Sequence, residues 1–245
     1  MTTLTVCIQG IGLLGPGLAS WASARDVLRG VQAHTSAPTV LPPPARLPPA
    51  ERRRAGAAVK LALAIADEAV SQAQLDPATL ATPAPMVSPT RFTNSVHNAP
   101  AGCWHIAVAS RASSTSLCAF DGSFSAGLIE AATSVQLTGL PVLLVASDSP
   151  YPAPLHALRP LPDHFGAALV LAPEPNAVTI AELTITFESS AADRNRCDDP
   201  TLDALRRTIP AACVLPLLAA LARPRAMQRI VLDYLPHLAL RIELA

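Results

Sequence analysis

The chain has 245 residues, half of them apolar and 15% charged, with no formal net charge. That balance leaves no electrostatic footprint for a nucleic-acid partner or an anionic membrane surface. Pro, Arg, Asp or Glu breaks every apolar run before the ~20 residues a spanning helix needs, so no membrane span is expected.

The first residues, Met1-Thr-Thr-Leu-Thr-Val-Cys-Ile, lack the basic flank and small-residue cleavage site of a secretion signal, which makes the cytoplasm the expected location. They read instead as a strand over Thr2–Ile8. The glycines that follow, Gly10, Gly12, Gly15 and Gly17, are expected to turn the chain into a short helix from Leu18. A dinucleotide-binding loop is disfavoured, because Pro16 lies inside the glycine run and no acidic residue closes a second strand about 20 positions on.

Six of the twenty-five prolines fall between Pro38 and Pro49, so that stretch is expected to be an extended surface connection. A helix is predicted over 51–75, with Val59, Leu63, Ala66 and Val70 on one stripe and Asp76-Pro77 ending it. Its first turn carries Arg52-Arg53-Arg54, which reads either as a solvated face or as a contact for an acidic partner. Residues 81–100 are rich in Pro, Ser, Thr and Asn and read as a loop.

Beyond it the pattern predicts a helix over 103–115, a strand over 116–120, a helix over 122–138 and a buried strand over 141–147. Strands are expected at 167–172 and 178–187, helix over 200–222, and a closing pair of strands at 230–235 and 238–244. Apolar, non-alternating central strands imply a sheet with helices on both faces, hence an α/β class.

The five cysteines, at 7, 103, 118, 197 and 213, are widely spaced with no C-x-x-C pair. They read as small buried hydrophobes; no metal site and no cofactor are expected.

Several segments in order resemble the β-ketoacyl synthase family. Ile8-Gln-Gly-Ile-Gly-Leu-Leu-Gly-Pro-Gly17 is similar to its first strand and glycine turn, and Asn98-Ala-Pro-Ala-Gly102 to the loop and helix start before the nucleophile. Glu130 to Ser147 is similar to the nucleophile helix and the next strand without a gap, Arg159 to Leu171 to a hairpin entry and strand, and Thr179-Ile-Ala-Glu-Leu183 to a later strand. The resemblance spans residues 4–190 and implies one thiolase-like domain over 1–245, layered αβαβα. Residues 1–190 would form its complete first half and 191–245 a shortened second part.

Active members place a cysteine at the N-terminus of a buried helix, where the helix pole lowers the thiol pKa and backbone N–H groups stabilise an oxyanion. Counting back from the ungapped helix puts Asp121 in that position; Cys118, the fallback nucleophile, comes three residues early. The family also carries two histidines in glycine-containing loops of its second half, whereas this chain has no glycine after Gly166 and its one late histidine, His237, sits in Leu235-Pro-His-Leu. Asp121 is expected to cap its helix. Phe120 and Phe124 are expected to fill an acyl pocket, with His97 and Asn98 in a loop at the partner interface or tunnel, His97 either ordering its own loop or pairing with a carboxylate such as Asp121.

The resemblance thus implies a subunit without its own catalytic residues, of the chain-length-factor type found in aryl polyene and type II polyketide biosynthesis. Such a subunit forms a heterodimer with an active ketosynthase, shapes the acyl tunnel and meets acyl carrier protein through the complex. The expected seam is the 116–120 strand and the 94–102 loop. Two other readings stay open, a small condensing enzyme or acyltransferase using Cys118 and a carrier-protein-binding module.

Overall fold

A computed structural model describes residues 3–80, 98–189, 194–223 and 228–245. Its first strand, β1 (Leu4–Leu14), runs six residues beyond the predicted end, straight through Gly10 and Gly12. The reason lies in what covers them. A Cβ on Gly10 would sit 2.0 Å from the Ala69 carbonyl oxygen, and one on Gly12 would sit 1.9 Å from that of Ile65. These glycines are not a turn; they let the backbone of helix α3 (Ala57–Ala73) lie directly on the strand.

Six strands form one sheet in the order β2-β3-β1-β4-β6-β5, with every neighbouring pair antiparallel. The others are β2 (Val142–Asp148), β3 (Phe165–Ala172), β4 (Ala181–Ser189), β5 (Gln228–Leu235) and β6 (Leu238–Leu244). β3 is buried along its whole length. Ala167, Leu169 and Leu171 feed one apolar cluster and Ala168 and Val170 the other, so both faces are dry.

A bulge at Gln9 shifts the register of β1 against β3 between Ile8 and Gly10. The extra residue changes the alternation, so Val6 and Ile8 before it and Ile11 and Leu13 after it all enter the same cluster. β4 pairs with β1 only over Leu4–Ile8. Beyond that point the free N–H groups of Ile11 and Leu13 donate to Gln72 Oε1 (2.9 Å) and Glu68 Oε2 (3.0 Å) of α3. Buried strand donors left without a ladder partner are satisfied by side chains one helical turn apart.

Helices cover the two faces. On one lie α3 and α4 (Ala99–Val108); on the other lie α1 (Trp21–Leu28), α5 (Ser123–Thr138) and the apolar tail segment. The predicted helix over 51–75 is two: α2 (Pro49–Arg54) and α3, separated by extended backbone at Ala55 and by Gly56. The 103–115 helix starts and ends earlier, stopping at Ala109 in the left-handed region (φ 54°). Residues 38–49 lack regular structure up to the start of α2, as expected, and most of the 81–100 loop, His97 included, lies outside the described residues.

After the short helix α6 (Leu155–Leu158), the tail folds as α7 (Pro200–Thr208), a 3-10 turn (Pro210–Val214) and α8 (Leu215–Ala222), with prolines at the start of each of these three pieces. Asp199 caps α7 by accepting from the Thr201 and Leu202 N–H groups. The expected hairpin β5–β6 follows, turning at Pro236-His237, where His237 is exposed. β6 pairs with β4, so the strands after residue 227 extend the same sheet, and among the described residues the layers are helix, sheet, helix.

Two elements differ in kind from their prediction. Residues 116–119 form no strand and pair with none of the six; the segment is irregular and enters a 3-10 turn, Phe120–Gly122. β2, predicted as a buried strand, is an outer strand: among the described residues β3 is its only partner, and six of its seven residues are half-buried.

Candidate functional site

The place where the family resemblance puts a nucleophile is the start of α5. Phe120 there has φ +53°, a left-handed conformation that costs a non-glycine residue on the order of 1–2 kcal/mol. Ser123 holds it: its hydroxyl donates to the Phe120 carbonyl (2.7 Å) and accepts from the Ala119 N–H (2.9 Å). The ring of Phe120 is turned outward and is 75% exposed. The guanidinium of Arg159 lies 4.0 Å from its centroid, a cation–π contact.

Arg159 also forms an ion pair with Asp121. The helix cap is Gly122, with no side-chain hydrogen bond, so Asp121 does not cap α5 as expected; its carboxylate is spent on Arg159. In front of the helix stands the tail. A Cβ on Gly122 would be 2.4 Å from the Tyr234 carbonyl oxygen, and the Ser125 hydroxyl, fully buried, donates to the Asp233 carbonyl (2.5 Å). The end of β5 therefore packs against the first turn of α5.

Asp148, the last residue of β2, belongs to the same neighbourhood. Burial pushes its carboxyl above the ordinary carboxylate range, against the opposing pull of the Ala211 N–H (2.6 Å) and the Arg159 charge. Cys213, in the 3-10 turn beside it, is raised by burial to about 12, so it stays a neutral thiol.

The remaining sequence candidates separate. Phe124 is 1% exposed and is a core residue on the inner side of α5, while Phe120 points to solvent, so the two do not line one pocket. Asn98 is exposed and precedes α4; its carbonyl accepts from the Gly102 N–H, and its side chain makes no cap. Cys118 is exposed, in the irregular segment before the 3-10 turn. Three histidines are engaged away from Asp121: His34 with Thr201 Oγ1 and the Pro16 carbonyl, His105 with the Ser110 carbonyl, His164 with Ser149 Oγ. Among the described residues, no cluster of three His, Cys, Asp or Glu side chains is placed to hold a metal ion. Cavities of about 140 and 240 Å³ lie elsewhere, and Asp121 lines neither.

Sequence reasoning missed the residues that mark the outer edge. β2 runs Val142-Leu-Leu-Val-Ala-Ser-Asp148 in unbroken register with β3, with no bulge, proline or lysine to protect its other side, which is unpaired among the described residues. The segments entering and leaving it carry exposed Leu137 (81%), Leu140 (53%), Leu155 (53%) and Leu158 (83%). The absence of any charge before Asp148 was the signal available in the sequence.

Comparison with solved structures places this architecture among thiolase-like ketosynthase folds. A chain of the complex titled "Ketosynthase (ApeO) in Complex with its Chain Length Factor (ApeC)", from Xenorhabdus doucetiae, is 22% identical with a TM-score of 0.68, over 98% of this chain and 99% of that one. A chain of "AntDE:AntF (apo): type II PKS acyl-carrier protein in complex with its ketosynthase bound to the hexaketide" gives 12% identity and a TM-score of 0.72, over 100% and 99%. A β-ketoacyl synthase from Burkholderia phymatum STM815 gives 15% and 0.55, over 85% and 70%. No curated protein matches the chain. The family described as "Beta-ketoacyl synthase, N-terminal domain" matches residues 78–213, more than half of the sequence, and the chain belongs to that family.

Proposed function

We propose that this protein is a ketosynthase-like subunit of the chain-length-factor type, without condensing activity of its own, that pairs with an active β-ketoacyl synthase and helps shape the tunnel for a growing acyl chain. The observation that carries this reading is the nucleophile-equivalent position. Asp121 lacks a thiol, is bound to Arg159, and faces a helix start against which Tyr234 and Asp233 are packed. A carboxylate in an ion pair cannot take an acyl chain from a thioester as a cysteine does.

The pairing surface is β2 with its apolar flanks. An open, unprotected strand edge is a template for a strand from another chain, and main-chain hydrogen bonds across it would bury the flanking leucines. Phe120, rigidly held and exposed, is suited to act as an aromatic anchor on the partner. The likeness in fold to a chain from a ketosynthase and chain-length-factor complex supports the assignment. Carrier protein would reach this chain through the complex. No helix among the described residues is long and apolar enough to cross a membrane.

Co-expression with ketosynthases encoded beside it tests the proposal. A one-to-one complex is expected, with condensation that needs the partner's cysteine. A protein that condenses acyl units alone, or that stays a monomer with every such ketosynthase, would refute it.

A further inference from the structure

The segment between α1 and the proline-rich strap has no regular structure of its own, yet one half-buried side chain in it, His34, touches two distant parts of the chain. Its ring lies between the turn that follows β1 and the start of α7. Nε2 is 2.9 Å from the Pro16 carbonyl, and Nδ1 is 2.6 Å from Thr201 Oγ1. The His34 backbone N–H donates to Asp199 Oδ2 (3.2 Å), and the Gly17 N–H donates to the Ala37 carbonyl (2.9 Å). The fit is close: a Cβ on Gly17, which has φ +68°, would stand 2.7 Å from Nε2.

The proton positions follow from what each partner can do. A carbonyl oxygen only accepts, so Nε2 carries a proton. Thr201 has one hydroxyl proton and two near neighbours, Nδ1 and Asp199 Oδ1, the second at 2.5 Å. Asp199 is anionic at neutral pH. The Thr201 hydroxyl above all, with the N–H groups of Thr201, His34 and Leu202, holds its carboxyl down to about 2. A carboxylate only accepts, and two oxygens at that distance with no proton between them would repel, so the hydroxyl proton goes to Asp199. Nδ1 must then supply a proton of its own. A ring that donates from both nitrogens is an imidazolium.

Asp199 is the charge that touches this arrangement. Neither residues 14–19 nor residues 30–37 hold another titratable side chain. Further along α7, Asp203 is occupied by Arg206 and Arg207, and Asp198 is paired with Arg223. Arg29, at the end of α1, is engaged by Asp26 and by the Ala222 carbonyl.

We infer that His34 is a proton-operated clasp, which as an imidazolium ties the turn after β1 and the 30–37 segment to the cap of α7, and which opens when the proton leaves. Without that proton the Thr201 hydroxyl has to choose between Nδ1 and Asp199, and one of the two contacts is lost. Because the closed form is the protonated one, its contribution is present on the acid side and is lost as pH rises through the imidazole range, about pH 5–8, over which Asp199 stays ionised. The clasp is independent of the pairing proposed for β2.

Two readouts on the full chain test it. Long-range 15N–1H correlation of the His34 ring, assigned by its absence in His34→Gln, is expected to show protons on both nitrogens at about pH 7. One bare nitrogen there would overturn the inference. Hydrogen exchange of the Gly17, Thr201 and Leu202 amides is then compared at about pH 6 and about pH 8.5, after correction for intrinsic exchange. The wild type should lose about tenfold in protection at the higher pH. Thr201→Val, which keeps the backbone bonds to Asp199, and His34→Gln should each show the same protection at both. A wild type indifferent to pH, or variants that share its loss, would refute the clasp.

Discussion

Phe120→Gly separates a residue that holds the fold from one that serves a partner. At φ +53° the wild-type residue carries strain that glycine does not, a relief of about 1–2 kcal/mol. Against this stand the cation–π contact with Arg159, worth about 0.5–1 kcal/mol at an exposed site, and the extra chain entropy of glycine, about 0.5–1 kcal/mol. These terms nearly cancel, because a ring that is 75% exposed buries little in the isolated chain. The expected change in stability is under about 1 kcal/mol, or roughly 2–4 °C in Tm for a chain of this size.

In the complex the balance differs. An aromatic anchor seated in a partner pocket contributes about 2 kcal/mol or more, which is about thirtyfold in Kd. Differential scanning calorimetry of the lone chain and biolayer interferometry against the ketosynthase measure the two effects. A Tm nearly unchanged with affinity reduced about thirtyfold is expected by that arithmetic. A collapse of Tm, or an affinity equal to wild type, would show that Phe120 is not an interface residue.

Gly12→Ala should destabilise by about 3 kcal/mol or more, since its Cβ would meet the backbone oxygen of Ile65 at 1.9 Å and only movement of α3 relieves it; urea melts showing a loss below about 1 kcal/mol would contradict that packing. Asp148 gives a pH prediction. Its folded pKa lies above the unfolded value, so its contribution is fully present below about pH 4 and is lost as pH rises through the folded pKa. Asp148→Asn keeps an acceptor for the Ala211 N–H and removes the buried charge, so at pH 7 it should leave stability equal or higher; a clear loss in denaturant melts would refute the sign. Cys118→Ala should leave condensation by the assembled complex within about twofold, a small effect for a residue outside the chemistry. Loss of product with the complex intact would identify Cys118 as the nucleophile.

What could be read from the sequence divides by the range of the interactions involved. β3, the α5 helix, the tail helices and the β5–β6 hairpin carry their own periodicity and punctuation, and each falls within a few residues of its predicted place. Gly10 and Gly12 misled because glycine marks turns locally, while here it answers to Ala69 and Ile65, more than fifty residues away. The break at Ala55-Gly56 inside an apparently continuous helix was overridden by a strong stripe on the α3 side. Residues 116–120 have a strand-like composition, but composition does not decide whether a segment joins a sheet; nonlocal contacts do. The same nonlocal information decided whether β2 was central or outermost, and the outward turn of Phe120 depends on Arg159 and Ser123. That Asp121 stands just ahead of a helix was legible from the sequence; its engagement by Arg159 was not.

The most direct test of the pairing claim is hydrogen exchange of the β2 amides with and without the co-expressed ketosynthase. The outward-facing N–H groups of Val142–Asp148 are expected to exchange quickly in the lone chain and to gain at least tenfold protection in the complex, together with slowed exchange in the segments bearing Leu137, Leu140, Leu155 and Leu158. Protection confined to other surfaces, with β2 exchanging as in the free protein, would contradict the account.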